Sequence, residues 1–382
     1  MAHVFIVNPN TLKYHLNYLF AGTGAKNLKI NFLQNQTNNN IKSEKLLCGM
    51  LADISRIREG DKILFYLQAT KDTEGEFFGS FKATSRAFID NDNYPKELGK
   101  YKFLPFRIRI EPDEVYSKGA TERNCLDSLK GIEHPYQLCW SLIYRKLRAN
   151  RGCTMITDYE YESIMKKIRS VNNNTKIISK SFSFDKKNNI IVASTEKFDY
   201  EGQKEETNIL NRLLYKFEYR SAFETHLQAY IMQNLEKDCC STIRKKDLPI
   251  SWIGNEVSCG VGMQSIDCMF IQKDVSKVYI NVCELKYGSI LKEQKLGEQV
   301  SKYIEWIQDY ISPIYYNKNK KVEIIPIIIA QKGKKEKKYQ EELKSIRKVK
   351  EKISNQTHLT NLRYIDFTSE NNNLVFHEED IN

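Results

Sequence analysis

The segment Lys277–Lys286, KVYINVCELK, constrains the fold of this chain more than any other feature. Its run of apolar and β-branched residues predicts a buried strand, and two charged residues, Glu284 and Lys286, stand at its end. Because successive side chains of a strand point to opposite faces, Glu284 and Lys286 share one face. The strand therefore ends with a carboxylate and an ammonium group side by side.

Asp267 belongs to the preceding strand candidate, Ser265–Ile271. Burial of a charged group is unfavourable unless it is paired or binds a metal, so we expect Asp267 to complete a small acidic site beside Glu284 and Lys286. Two carboxylates and a lysine suit Mg²⁺-assisted hydrolysis of a phosphodiester. Asp267 and Glu284 would hold the metal, and Lys286 would orient the attacking water or neutralise charge on the phosphate. Taken alone, E-x-K is also typical of a solvated pair on an edge strand.

Two amphipathic helices are predicted around these strands. The downstream helix, Glu293–Tyr310, carries Gln299 and Tyr303 four residues apart on one face. The upstream helix, Arg220–Leu235, carries Glu224. The chain thus has, in order, a helix with a glutamate, a strand with an aspartate, a strand with E-x-K and a helix with Q-x-x-x-Y. This context favours a functional site over a solvated pair.

That order of elements resembles the PD-(D/E)XK nuclease superfamily, and Q-x-x-x-Y resembles its RecB-like branch. Four segments are most similar to the NucS-type endonuclease domain: ETHLQAY from Glu224, SID from Ser265, CELK from Cys283 and EQVSKY from Glu298. The family has an arginine directly before Ile-Asp, where this chain has Ser265. The departure puts a contact with the substrate phosphate in doubt, but not the metal site.

The resemblance implies a mixed sheet flanked by helices, with Glu224, Gln299 and Tyr303 completing the catalytic set. It implies Mg²⁺ as the cofactor, with Mn²⁺ as a substitute, and double-stranded DNA as the substrate. It also implies a homodimer, because cutting both strands needs two active sites.

The charge of the chain indicates a polyanionic partner. The net charge is +11 and the isoelectric point is near 9.0. More than half of the excess lies in residues 331–352, which predict a basic helix packed against the nuclease sheet, after a strand at Val322–Ala330. The candidate contacts to the DNA backbone are Lys334, Lys335, Lys337 and Lys338 here and Arg145, Arg148 and Arg151 in the first half. A solvated face is the alternative for any single lysine.

Length and composition fit an intracellular enzyme. A chain of 382 residues is long enough for two or three domains with separate cores. No stretch approaches the ~20 apolar residues of a membrane span, and residues 1–9 lack the features of a signal peptide. The nine cysteines include no C-x-x-C pair, which favours reduced thiols over a zinc site. We therefore expect a cytoplasmic protein.

The N-terminal half predicts a small β-rich domain. A strand beginning at Val4 leads into a helix over Leu12–Phe20, the segments GDKILFYL and GEFFGSFKATS predict a strand pair, and another strand follows at Phe106–Ile110. Over roughly residues 1–165 this pattern is similar to an EVE domain, of the PUA-like group that includes YTH domains. The resemblance implies a PUA-like small β-barrel with helices, whose aromatic-lined pocket holds one extruded base, in several members a modified one.

Capture of a base needs an aromatic face for stacking and polar groups for the base edge. Trp140 and Tyr144 lie four residues apart on a predicted helix, Tyr136–Leu147, immediately before the arginine cluster. Asn8 ends the first strand, where the resemblance places a polar pocket residue. These three residues are the base-pocket candidates. Packing in the core is the alternative for either aromatic ring.

The domain boundaries follow from local signals. Thr157 and Glu160 form a T-x-x-E capping box that predicts a helix to about Arg169, which closes the first domain. We place the base-reading domain at 1–170, an asparagine-rich connector with one hairpin at 171–205 and the nuclease domain at 206–382. A pair of strands at Asn361–Phe367 and Leu374–Glu378 is predicted to close the chain.

The sequence therefore predicts a mixed α/β and α+β fold and a Mg²⁺-dependent DNA endonuclease of restriction type. Contacts to the DNA backbone carry little sequence information, so the N-terminal domain would choose the site by reading a specific or modified, flipped base. Two alternatives stay open. One is a NucS-like repair endonuclease on mismatched or branched DNA, and the other is a nucleic-acid-binding module without cleavage.

Overall fold

The chain forms two compact units. A computed structural model describes residues 1–24, 41–71, 73–126, 131–137, 152–218, 224–259, 264–286, 296–332, 339–351 and 356–380. The first unit comprises residues 1–32, 36–133 and 137–207, and the second comprises 33–35, 134–136 and 208–382. Nine predicted site residues lie outside the described residues, namely Trp140, Tyr144, Arg145, Arg148, Arg151, Lys334, Lys335, Lys337 and Lys338. Their roles stay predictions.

The first unit is built around one mixed sheet. Its strands are β1 (Ala2–Val7), β2 (Phe20–Thr23), β3 (Lys62–Leu67), β4 (Glu76–Ala83), β5 (Phe88–Ile89), β6 (Phe106–Pro112), β7 (Ala120–Thr121) and β8 (Cys153–Ile156). The sheet order is β2-β6-β4-β3-β1-β8, with β5 beside β6 and β7 beside β4. Strands β1 and β3 run parallel, and the other pairs are antiparallel. The predicted pairing of GDKILFYL with GEFFGSFKATS is confirmed, because these segments contain β3 and β4.

The described helices of this unit are α1 (Pro9–Asn17), α2 (Ile41–Ser55), α3 (Glu122–Leu126) and α4 (Asp158–Val171). Side chains cap the N-termini of α1 and α4. Both bonds of the Thr157–Glu160 capping box are present, so the predicted start of α4 is confirmed. Helix α1 begins three residues earlier than predicted, because Asn8 caps it and proline is favourable at the first helical position.

A hairpin from the asparagine-rich segment packs into the first unit. Its strands are β9 (Phe182–Asp185) and β10 (Ile190–Ala193). The rings of Phe182 and Phe184 are buried and meet Phe81 and Phe78, with centroids 6.1 and 5.8 Å apart. The hairpin predicted between the two domains therefore adds to the core of the first unit.

The second unit contains a sheet with helices around it. Its strands are β11 (Ile250–Cys259), β12 (Gln264–Lys273), β13 (Lys277–Lys286), β14 (Lys321–Gln331), β15 (Thr357–Leu359), β16 (Arg363–Glu370) and β17 (Asn373–Glu379). Its helices are α5 (Leu210–Glu218), α6 (Glu224–Asn234), α7 (Leu296–Tyr310), α8 (Pro313–Tyr316) and α9 (Tyr339–Lys350). The sheet order is β11-β12-β13-β14-β16-β17, with β15 beside β14. Strand β14 runs parallel to β13, β15 and β16, and the remaining pairs are antiparallel.

The central strands β13 and β14 are buried along nearly their whole length, since helices α6 and α7 contact β13 and helices α7 and α8 contact β14. This explains why both read as nearly continuous apolar runs. Within the predicted basic segment, residues 339–350 form helix α9, and α9 packs against α7, with Ile346 and Val349 buried. The predicted mixed α/β class is confirmed. No helix in the described part of the chain is long and apolar enough to cross a membrane.

Candidate active site

Strands β12 and β13 bring two carboxylates together where their pairing ends. The last paired residues are Cys268 and Cys283, and Asp267 and Glu284 come next on the two strands. Beyond this point the Oδ2 atom of Asp267 accepts a hydrogen bond from the backbone N–H of Leu285 at 2.8 Å. A side chain thus replaces a strand-to-strand bond and holds the Asp267 carboxylate beside the end of β13.

Lys286 lies between two glutamates. Its Nζ atom is 3.1 Å from Oε1 of Glu284 and 3.5 Å from Oε1 of Glu224, the first residue of α6. The predicted shared face of Glu284 and Lys286 is confirmed by this contact. The Glu284 side chain is only 2% exposed, whereas that of Glu224 is 44% exposed. The site therefore has a buried carboxylate at its base and an accessible one at its rim.

Burial and like charge shift the pKa values of this group. Burial, followed by the charge of Glu284, raises the pKa of Asp267 well above its usual value. Burial also raises the pKa of Glu284, although Lys286 opposes the shift. Burial lowers the pKa of Lys286, but the charges of Glu284 and Glu224 outweigh it and the net pKa is raised. Lys286 therefore keeps its proton at neutral pH, and a further cation beside Asp267 and Glu284 would favour the ionised form of both carboxylates.

The Q-x-x-x-Y residues of α7 hold β12 in place. The Tyr303 hydroxyl donates a hydrogen bond to the backbone carbonyl of Ser265 at 2.9 Å, and the Gln299 side-chain amide donates to the Tyr303 hydroxyl. Burial, followed by the charge of Glu284, raises the pKa of Tyr303, so the hydroxyl stays protonated. Gln299 and Tyr303 thus fix the backbone two residues before Asp267.

Two further polar residues, Glu256 and Gln228, surround Asp267 and were missed by the sequence analysis. Glu256 lies opposite Asp267 in the register of β11 and β12, with an uncommon left-handed φ of +49°. Its carboxylate accepts hydrogen bonds from Ser265 Oγ at 2.9 Å and from Gln228 Nε2 at 3.3 Å. Gln228 Nε2 also donates to the backbone carbonyl of Asp267 at 2.8 Å. A glutamate inside the strand segment ISWIGNEVSC was the available signal.

The donor atoms of the site fit a hard cation such as Mg²⁺. The Oε2 atom of Glu284 is buried and accepts no hydrogen bond within the described residues, an arrangement that a bound cation would relieve. Among those residues, no group of three or more His, Cys, Asp or Glu side chains is placed to hold a metal ion. Asp267 and Glu284 would therefore supply two ligands, and water and phosphate oxygens would complete the shell, as is usual for Mg²⁺.

In the first unit, Asn8 serves as the cap of helix α1. Its Oδ1 atom accepts hydrogen bonds from the backbone N–H groups of Asn10 and Thr11, at 3.0 and 2.9 Å. The side-chain oxygen is therefore engaged by the helix. The base-pocket role of Asn8 stays a prediction, as do those of Trp140 and Tyr144.

The first unit also has a half-buried aromatic cluster that the sequence analysis missed. The Tyr18 ring lies 5.1 Å from Phe198 and 5.5 Å from Tyr94, measured between centroids. The Tyr94 ring is 5.5 Å from Tyr200, and the Arg109 guanidinium lies 4.6 Å from the centroid of Tyr200. The rings come from segments far apart in the chain, so no local motif announces them. They combine aromatic faces with a cation, a pattern that suits stacking of nucleic-acid bases.

No family model and no curated protein matches this chain. Solved structures that it resembles include a hypothetical protein from Leishmania major, at 12% identity and a TM-score of 0.28, covering 44% of this chain and 95% of that one. The DUF55 domain of human thymocyte nuclear protein 1 matches at 12% identity and a TM-score of 0.27, and the match covers 44% of this chain and 97% of that domain's chain. The human THYN1 protein in complex with DNA containing 5-methylcytosine matches at 11% identity and a TM-score of 0.26, and the match covers 43% of this chain and 95% of that one. Similarities at these TM-scores carry no conclusion about the activity of this chain.

Proposed function

We propose that the second unit is a Mg²⁺-dependent endonuclease that cleaves double-stranded DNA. The observation that carries this proposal is the buried Glu284 carboxylate, which contacts Lys286 through Oε1 and has no described hydrogen-bond partner at Oε2. Asp267 lies next to it in the strand register. Two adjacent carboxylates whose pKa values are raised by burial, with a protonated lysine beside them, suit metal-assisted hydrolysis of a phosphodiester.

Each side chain has a separate task in this proposal. Asp267 and Glu284 would hold Mg²⁺, which would supply an activated water and positive charge at the scissile phosphate. Lys286 keeps its proton, because its pKa is raised, so it stabilises developing negative charge on the phosphate rather than removing a proton from water. Glu224 contacts Lys286 at the rim of the site. This contact keeps the Nζ atom of Lys286 directed into the site.

A second group of residues positions the ligands. Tyr303 and Gln228 donate hydrogen bonds to the β12 backbone on either side of Ile266, and Gln299 donates to the Tyr303 hydroxyl. The Glu256 carboxylate accepts hydrogen bonds from Gln228 and Ser265. Metal ligands keep productive geometry only when neighbouring groups orient them. In this proposal the Q-x-x-x-Y pair acts through the position of Asp267 and does not touch the substrate.

The first unit would select the cleavage site by reading a specific or modified base. The EVE-like sequence pattern and the chain's charge of +11 support this part of the proposal. Aromatic rings beside Arg109 offer a stacking surface among the described residues. Two copies of the chain would act together to cut both strands.

The test separates cleavage from DNA binding. Asp267→Ala, Glu284→Ala and Lys286→Ala should each abolish Mg²⁺-dependent cleavage of plasmid DNA, while affinity for a duplex measured in EDTA changes by less than about threefold, because phosphate contacts elsewhere supply it. Glu298→Ala is a matched control, since Glu298 is an exposed carboxylate on α7. Near wild-type cutting by any of the three site variants would show that the site is wrongly assigned.

A further inference from the structure

A basic cleft opens at the edge of the second unit's sheet where β13, β14 and β15 begin. It has a volume of about 780 Å³. Its lining residues include three lysines, one histidine and one threonine: Lys277, Lys320, Lys321, His358 and Thr357. Glu284 lies near the other end of β13, with Asp267 beside it on β12, and ten residues of β13 span about 30 Å. The cleft is therefore separate from the candidate active site.

The strand register places two lysines of the cleft side by side. Lys277 in β13 pairs with Lys321 in the parallel strand β14. Like charges on directly neighbouring strand positions destabilise a sheet. The Lys320 ammonium, in contrast, is held by the backbone carbonyl of Asp274 at 3.4 Å. Lys277 and Lys321 thus form a pair whose mutual repulsion an anion would relieve.

Glu323 compensates this charge only weakly. Its carboxylate is 3.9 Å from Lys277 Nζ and 3.9 Å from His358 Nδ1, at the outer limit of an ion pair. The Glu323 side chain is 17% exposed, so it lies deeper in the cleft than the Lys277 side chain, which is 45% exposed. A carboxylate at this depth would accept hydrogen bonds from hydroxyl or amino groups of a ligand whose phosphates lie near the lysines.

A buried hydroxyl also lines the cleft. Thr357 pairs with Val322 at the start of β15, and its Oγ1 atom is buried without a hydrogen-bond partner among the described residues. Its residue is 7% exposed. A buried hydroxyl that makes no hydrogen bond is unfavourable, so a small rotation of Thr357 toward a ligand oxygen in the cleft would recover this energy.

From these observations we infer that the cleft binds a nucleotide with a phosphate chain. Lys277 and Lys321 contact the phosphates, Thr357 donates a hydrogen bond, and Glu323 accepts from the sugar or base. The cleft has the size usual for small-molecule sites. Glu323 would repel a continuous DNA backbone, whereas it suits a ligand with phosphates at one end and donors at the other. The inference does not depend on nuclease activity at Glu284.

The test is titration calorimetry of the full chain with ATP, with sodium tripolyphosphate and with a 20-base-pair duplex. The buffer contains EDTA, so that cleavage and metal binding do not contribute. ATP should bind saturably and more tightly than tripolyphosphate, which offers Glu323 no donor. Lys277→Ala and Lys321→Ala should each weaken ATP binding about tenfold, the effect expected for one charge-assisted contact. Lys318→Ala is the matched control, because Lys318 is an exposed lysine that does not line the cleft and its removal should leave ATP affinity unchanged.

A second variant separates binding from folding. Thr357→Val removes an unpaired buried hydroxyl and keeps the shape, so the melting temperature should not fall while ATP affinity drops severalfold. Absence of ATP binding, equal weakening by Lys318→Ala, or binding of the duplex alone through Lys277 and Lys321 would each overturn the inference. Glu284→Gln should bind ATP like the wild type, which distinguishes this cleft from the candidate active site.

Discussion

At the scale of single residues, Asp267 lies where its ionised form is unfavourable. Burial and the neighbouring charge of Glu284 raise the pKa of Asp267, so the ionised side chain destabilises the metal-free fold. The resulting loss of unfolding free energy is absent below the unfolded-state pKa near 3.8. It grows as the pH rises from there toward the raised pKa of the folded state. Without a cation, a neutral residue of the same shape should be more stable.

We therefore expect Asp267→Asn to stabilise the protein in EDTA at about pH 8, because the amide carries no charge that burial and Glu284 would penalise. Chemical denaturation measures this. Asp274→Asn is the opposite control, because Asp274 accepts hydrogen bonds from the N–H groups of Ser276 and Lys277 and from the Tyr279 hydroxyl. These bonds lower its pKa, so its replacement should destabilise. Destabilisation by Asp267→Asn would contradict the described environment.

Two buried histidines make the first unit sensitive to acid. Burial lowers the pKa of His3 to about 4 and that of His15 to about 3, and hydrogen bonds to Asp61 and to the Phe20 carbonyl only partly oppose this. The folded state binds fewer protons than the unfolded chain below pH 6.5. Stability is thus present above the unfolded-state pKa and is lost as the pH falls toward the lowered values.

His15→Phe should reduce the slope of unfolding free energy against pH by about 1.4 kcal/mol per pH unit between about pH 6 and 4. The variant no longer makes the hydrogen bond to Phe20, so its stability at neutral pH should be lower than that of the wild type. The measured quantity is the slope of unfolding free energy against pH. An unchanged slope would show that His15 is not held neutral by its burial.

At the scale of secondary-structure elements, the cap of α4 can be tested directly. Thr157 Oγ1 accepts a hydrogen bond from the Glu160 N–H at 3.2 Å, and the Glu160 carboxylate accepts one from the Thr157 N–H at 2.7 Å. Thr157→Ala should destabilise the protein by about 1 kcal/mol, while Thr157→Ser keeps the oxygen and should change little. Thermal unfolding of the two variants would decide, and equal melting temperatures would argue against the cap.

The elements that the sequence predicted are those with uninterrupted local signals. Strands β13 and β14 have apolar runs because they are buried, and a charged pair at the end of such a run singled out Glu284 and Lys286. Strand β11 was missed, since Gly254, Asn255 and Glu256 interrupt its pattern and its place depends on pairing with β12. In the candidate active site, too, the residue that was missed depends on strand pairing. Glu256 approaches Asp267 through strand register and a left-handed backbone, neither of which a local sequence pattern specifies.

At the scale of the whole molecule, the excess positive charge predicts salt-dependent DNA binding. Neutralising Lys334, Lys335, Lys337 and Lys338 together should weaken binding similarly for all sequences. The slope of log affinity against log salt should flatten by roughly 0.9 for each phosphate that the protein no longer neutralises. Fluorescence anisotropy with a labelled duplex at several salt concentrations measures this. An unchanged slope would indicate that these lysines form a solvated face.

The proposed function of the whole molecule requires that Asp267, Glu284 and Lys286 form a metal-dependent hydrolytic site. The most direct test is the rate of plasmid cleavage as a function of Mg²⁺ concentration, for the wild type, Glu284→Gln and the exposed-residue control Glu298→Gln. The wild type and the control should cut at equal rates that rise with Mg²⁺ and vanish in EDTA. Glu284→Gln should be slower by at least about 100-fold, because it lacks a charged metal ligand. Cleavage by Glu284→Gln at the wild-type rate, wild-type cleavage that persists in EDTA, or no wild-type cleavage with either Mg²⁺ or Mn²⁺ would contradict the proposed function.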